Sequence, residues 1–135
     1  MAITSVKSSP NSVHIFPLTD MAFTEFETAL IEAAMPAFMK KRRPPEKFRA
    51  KVDLAFRIVD QSVIIFSIRP SFRDRKKMAE CPIAKATYVR TLKRWKVFWL
   101  CANLRWYSYE PCPLVARVEE FLVLVDEDNY SCFWG

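Results

Sequence analysis

The stretch from residue 84 to residue 110, AKATYVRTLKRWKVFWLCANLRWYSYE, constrains the fold more than any other part of this chain. It holds three of the four tryptophans and three of the four tyrosines, set in alternation with basic residues. Alternation at a period of two is what a strand with one buried face requires, and bulky aromatic side chains suit a pleated surface. The stretch reads as three antiparallel strands, at about 83–90, 95–101 and 104–110. With Ala102-Asn103 as a tight turn, Trp99 pairs with Trp106, Phe98 with Tyr107 and Lys96 with Tyr109. A turn at 91–94 pairs Tyr88 with Val97 and Ala86 with Trp99. One face then carries Ala84, Ala86, Tyr88, Val97, Trp99, Leu104 and Trp106, with small alanines opposite a large ring, as a packed layer needs. The other carries Lys85, Thr87, Val89, Lys96, Phe98, Leu100, Arg105, Tyr107 and Tyr109.

Upstream, residues 51–58 alternate cleanly, with Val52, Leu54, Phe56 and Ile58 in one phase, and a second strand follows at 62–69. A three-residue loop at Val59–Gln61 would pair Phe56 with Ile64 and Leu54 with Phe66, keeping the larger side chains together. Residues 70–82, bounded by prolines, form a basic exposed loop. Before the strands, Thr19 or Asp20 can cap a helix that runs to about Arg43, with Phe23, Phe26, Leu30, Ala33 and Phe38 at helical spacing. Pro36 should kink or divide that helix, and Pro44-Pro45 ends it. After the strands, Pro111 and Pro113 stop the sheet, and 114–126 form a second helix with Val115, Val118, Leu122 and Val125 on one stripe. The tail YSCFWG is apolar enough to dock. These elements give a two-layer α+β domain over 18–135: an N-terminal helix, a five-strand antiparallel meander and a C-terminal helix. Residues 1–17 read as an arm.

Several function classes are excluded by composition. The only glycine is Gly135, so no glycine-rich phosphate loop, dinucleotide fingerprint or nucleophile elbow exists. The only histidine, His14, lies in the arm, which disfavours a Ser/His/Asp or Cys/His arrangement. Cys81, Cys101, Cys112 and Cys132 form no C-x-x-C pair, and in the meander Cys112 falls roughly 25 Å from Cys81 and Cys101, so no metal site and no cofactor is expected. Glu110, beside the aromatic strands, is the one carboxylate placed for acid or base chemistry. No apolar run reaches transmembrane length and residues 1–17 lack the pattern of a secretory signal, so the expectation is a cytoplasmic protein without membrane partners.

Charge is segregated. From Lys40 to Lys96 there are 18 Lys and Arg against 5 Asp and Glu, a balance of +13, which leaves −7 for the rest of the chain. A basic middle of this kind attracts polyanions, although acidic and basic parts of one molecule can also face each other. Phe98, Tyr107 and Tyr109 framed by Lys85, Lys96 and Arg105 match how single-strand binders stack bases while holding phosphates. Arg69, Arg73, Arg75, Lys76 and Lys77 at the long loop, with Arg90, Lys93 and Arg94 at a strand turn, would extend a phosphate-contacting rim. The expected function is a non-enzymatic domain binding nucleic acid through this face. The alternative is a protein-interaction module, such as a homodimer, that buries the same face; the tail or the arm can also cover it.

The runs AKATYV (84–89), WKVFW (95–99), LRWYSYEPCP (104–113) and EEFLVLVDEDNYSCFWG (119–135) resemble a small bacterial family known as domain of unknown function 3024, with RRPP at 42–45 as a further point of likeness. The resemblance covers roughly the C-terminal two-thirds of the chain and implies a bacterial single-domain protein. It brings no activity and no site residue with it.

Overall fold

The computed structural model describes the backbone of Ser5–Lys7 and residues 23–134. Thr24 opens the first helix, α1 (Glu25–Arg42), through a reciprocal cap: Glu27 N–H donates to Thr24 Oγ1 at 3.1 Å and Thr24 N–H donates to Glu27 Oε1 at 2.9 Å. The sequence reading put the cap four or five residues earlier, at Thr19 or Asp20, which lie outside the described residues. Pro36 does not divide the helix. It sits on the solvent side, where the carbonyl that loses its donor is not sealed into the core.

The buried stripe of α1 is Ile31, Met35, Phe38 and Met39, whereas Phe26 is 72% exposed and Leu30 also faces out. The sequence carries apolar residues on two adjacent sides of this helix, and spacing alone does not say which side meets the sheet. The helix follows the capping box, and its neighbours decide the rest.

Strands β1 (Ser5–Lys7), β2 (Asp53–Val59), β3 (Ser62–Pro70), β4 (Met78–Val89), β5 (Arg94–Leu100) and β6 (Trp106–Ser108) form one sheet in chain order. The short β7 (Leu114–Val115) shares the outer edge of β5 with β6. From β2 to β6 the pairing is an antiparallel meander, as the sequence implies; β1, inside the expected arm, adds parallel to β2. Residues 114–115 are strand and not helix, so α2 (Val118–Glu127) starts later than its apolar stripe suggests. That stripe holds: Val115, Val118, Leu122 and Val125 are buried, joined by Phe121.

Both helices cover one face of the sheet, hereafter the inner face. Its core is built from Leu54, Phe56, Ile58, Val63, Ile65, Ala84, Ala86, Trp95 and Val97 against Ile31, Met35, Phe38, Phe121 and Val125. The tail docks on this side. Asp128, in the left-handed region at φ 42°, accepts from the backbone N–H of Cys132 (2.8 Å), Phe133 (3.1 Å) and Trp134 (2.9 Å), and Trp134 Nε1 donates to the Val125 carbonyl at 2.6 Å. Among the described residues, no helix is long and apolar enough to cross a membrane.

Three hairpin registers differ from the sequence reading. The β2–β3 turn has two residues, with Asp60 at φ 53°, so Phe56 pairs with Ile65 and Leu54 with Ser67. β3 offers bulky residues in both phases, Val63 and Ile65 or Ile64 and Phe66, so side-chain size does not specify register there and turn geometry does. At β5–β6 the loop has three residues, Ala102 to Leu104, closed by Cys101 N–H donating to the Arg105 carbonyl, with Leu104 at φ 63°. One extra loop residue pairs Trp99 with Tyr107 and Leu100 with Trp106, exchanging the faces of every residue in β6. The β4–β5 register is offset by two, Ala86 pairing with Val97 and Ala84 with Trp99, which leaves the faces as read.

Candidate nucleic-acid interface

The one-residue difference at β5–β6 rearranges the aromatic face. Tyr109, whose N–H donates to the Val97 carbonyl, turns inward and is 2% exposed, with the Phe133 ring 4.8 Å away and Tyr130 6.5 Å away. Burial pushes its phenol above the ordinary value, and the neighbouring Cys132 and Asp128 add to the shift. Tyr107 is exposed but lies on the inner side opposite Trp99, its hydroxyl accepting from Asn103 Nδ2 at 3.1 Å. Trp106, assigned to the core from sequence, comes out beside Phe98. Lys85 lies between them, its Nζ 4.9 Å from each ring centroid.

This cluster is half-buried, and desolvation lowers the Lys85 ammonium below its ordinary value. Its attraction to two ring faces offsets part of that cost. The rings are therefore already engaged by a cation of the chain itself. Nearby, Arg57 donates to both oxygens of Glu80 (2.9 and 2.8 Å) and lies 4.7 Å over the Phe66 ring, so that pair roofs part of the outer face. The hydrogen bond from Arg57 holds the Glu80 carboxyl below its usual range, against the opposing effect of burial. Lys96 is exposed on β5, opposite Thr87, and Arg105 is exposed in the β5–β6 loop.

The expected basic rim separates into two ends of the sheet. Arg90, Lys93 and Arg94 lie where β4 turns into β5, while Arg73, Arg75, Lys76 and Lys77 lie in the β3–β4 loop. The strand Met78–Val89 between them sets the two groups about 36 Å apart at a rise of about 3.3 Å per residue. At the first end Arg90 is committed to Glu27, donating at 2.6 and 2.8 Å, and that bond is the main reason the Glu27 carboxyl titrates low.

Elsewhere in the basic middle of the sequence, five of the described cations are neutralised by carboxylates, Arg57 and Arg90 among them. Lys41 and Arg42 hold Asp126, and Arg43 donates to both oxygens of Asp53 at 2.8 and 2.9 Å. The β3–β4 end differs. Lys51, Arg69, Arg73, Arg75, Lys76 and Lys77 have no carboxylate partner among the described residues. The one acid within the loop, Asp74, points Oδ1 at the Lys76 N–H, 3.0 Å away. Six cations and one acid leave this end at +5.

The loop itself is shorter than read, residues 71–77, because Met78–Pro82 pair with β3. Ser71 N–H donates to the Lys77 carbonyl at 2.7 Å and Lys77 N–H to the Asp74 carbonyl at 2.9 Å, closing it. Beside it opens a recess of about 630 Å³ lined by Lys51, Val52, Arg69, Pro70, Phe72, Arg75, Ala79 and Cys81. Lys51 and Phe72 were not among the residues singled out from sequence. Phe72 had a signal, as the lone aromatic residue in a polar, basic loop; Lys51 had none, since only the fold brings it to Arg69 and Arg75.

All four cysteines are free thiols, and for Cys132 burial first, then Asp128 and Cys101, raise the thiol above its ordinary value. Searches of curated proteins and of solved structures each gave no match. The sequence model of the domain of unknown function DUF3024 matches residues 23–135, which takes in both helices and the strands from β2 onward. The chain belongs to the DUF3024 family.

Proposed function

We propose that this domain binds nucleic acid through its phosphate backbone, with the β3–β4 end of the sheet as the contact. The observation that carries this reading is the sorting of cations. The fold neutralises Lys41, Arg42, Arg43, Arg57 and Arg90 with carboxylates, yet lines one recess with Lys51, Arg69 and Arg75 and sets Arg73, Lys76 and Lys77 in the adjoining loop, where Asp74 is the only acid. Keeping that much like charge together costs self-repulsion, which an external polyanion relieves. Lys85, Lys96, Phe98 and Arg105 become a secondary surface in this reading, because Lys85 already occupies the ring faces of Phe98 and Trp106.

Counterion release supplies the test. Five phosphate contacts on a single strand weaken binding about 100-fold between 50 and 200 mM salt. Replacing Arg73, Arg75, Lys76 and Lys77 together by alanine should flatten the salt slope by roughly 3. Fluorescence anisotropy with labelled single-stranded and duplex oligonucleotides reads both quantities. Absence of binding at low salt, or a quadruple variant that binds like the wild type, refutes the proposal.

The alternative, a homodimer through the outer face, is favoured by Ile64, Phe98, Leu100 and Trp106, which stand half-exposed around Lys85. Light scattering separates the two: a strict monomer with salt-sensitive oligonucleotide binding sinks the dimer, and a stable dimer without such binding supports it.

A further inference from the structure

Phe72 is 97% exposed, although burying a phenylalanine side chain is worth about 1.5–3 kcal/mol. It is not left out by a slack backbone. The loop that carries it is closed by the Ser71–Lys77 and Lys77–Asp74 bonds and braced at its start by Arg73 N–H donating to Ser71 Oγ at 3.3 Å. The closed loop thus presents the ring at the edge of the recess, whose walls offer two kinds of chemistry. Val52, Pro70 and Ala79 give an apolar side, and Lys51, Arg69 and Arg75 give cations, with no carboxylate in the lining. Its volume falls in the range of small-ligand sites.

A flat ring beside a cationic recess matches a flat, hydrophobic group joined to phosphate. We propose that this recess is a subsite for one unpaired nucleotide, its base stacked on Phe72 and its phosphates held by Lys51, Arg69 and Arg75. The proposal rests on the nucleic-acid reading above and narrows it to strands with unpaired bases. A duplex base would first have to be unstacked, at a cost of a few kcal/mol, before Phe72 could reach its face. An anionic membrane is a poorer fit, since it rewards cations fringing a convex apolar tip, whereas here three of them line a concavity behind a single ring.

The experiment compares wild type, Phe72→Ala and Phe72→Tyr in anisotropy titrations with labelled oligothymidylate and a labelled duplex, and by sedimentation with phosphatidylserine vesicles. Because Phe72 makes no core contact, both variants fold, and thermal unfolding checks this. Phe72→Ala should weaken oligothymidylate binding about 5- to 100-fold with an unchanged salt slope. Duplex binding should change less than about twofold, and Phe72→Tyr, which keeps the ring, should bind like wild type. Salt-sensitive wild-type binding that Phe72→Ala leaves intact overturns the nucleotide subsite while the phosphate-backbone reading stands. Wild type that binds no oligonucleotide at low salt overturns both. Vesicle binding that depends on Phe72, with oligothymidylate binding that does not, makes the ring a membrane anchor and also overturns the subsite.

Discussion

Asp53 is 5% exposed at the start of β2 and is held by both Arg43 bonds and by its neighbour's backbone, the Leu54 N–H, at 2.7 Å. Arg43 is the C-cap residue of α1, so this pair ties the end of the helix to the sheet. Replacing Asp53 by asparagine keeps the shape but takes the hydrogen-bonded carboxylate away from a largely buried guanidinium. Breaking one side of such a pair costs about 3–5 kcal/mol. In urea, with a denaturant slope of about 2 kcal/mol/M, the unfolding midpoint should fall by about 2 M. A double variant, Asp53→Leu with Arg43→Met, removes both charges and should recover at least half of that loss, since the pair must also offset its own desolvation. The pH dependence carries a definite sign. Burial pushes the Asp53 carboxyl up, but the Arg43 hydrogen bond, the Leu54 N–H and the charges of Arg43 and Arg49 outweigh it and hold the carboxyl below its ordinary value. A folded value below the unfolded one means the stabilisation is complete above the unfolded value of about 3.9 and is lost as pH falls through the folded value. The gap between wild type and Asp53→Asn should therefore narrow below about pH 4. An Asp53→Asn cost under about 1 kcal/mol, or a double variant as damaged as the sum of the singles, would refute the reasoning.

Two further measurements probe the β5–β6 region. Tyr109→Ala should cost about 3–5 kcal/mol, as for a buried ring, and couple to Phe133→Ala by about 1 kcal/mol in a double-mutant cycle; an exposed Tyr109, as read from sequence, would cost under about 0.5 kcal/mol. Leu104 is 78% exposed and sits at φ 63°, a conformation that costs a side-chain-bearing residue about 1–2 kcal/mol, so Leu104→Gly should raise the thermal midpoint by a few degrees. A lower midpoint would show that the loop is not strained there.

Among the described residues, Asp60, Lys93, Leu104, Asp128 and Ser131 take left-handed backbone conformations, which the sequence does not mark. Glycine and Asn-Gly pairs are the usual markers of such positions, and this chain has no glycine before its last residue. Without those markers side-chain matching has to stand in for turn type, and it misplaces the register of all three hairpins, while the faces of a strand stay legible where its two phases differ. β2, with Leu54, Phe56 and Ile58 in one phase, was legible; β3 and β6 were not.

What the sequence determined by itself was the order and type of the two helices and the five meander strands, the α2 stripe, the inner positions of Ala84, Ala86, Val97 and Trp99, and the concentration of positive charge between Lys40 and Lys96. These follow from periodicity and from proline, which act locally. The tertiary structure decided which cations face a carboxylate, because Asp126, Glu27 and Glu80 come from distant parts of the chain. It also decided, through one additional loop residue, that Trp106 and not Tyr109 joins Phe98 at Lys85. A period-two pattern fixes that two faces exist, but only closure of the turn fixes which residue lands on which.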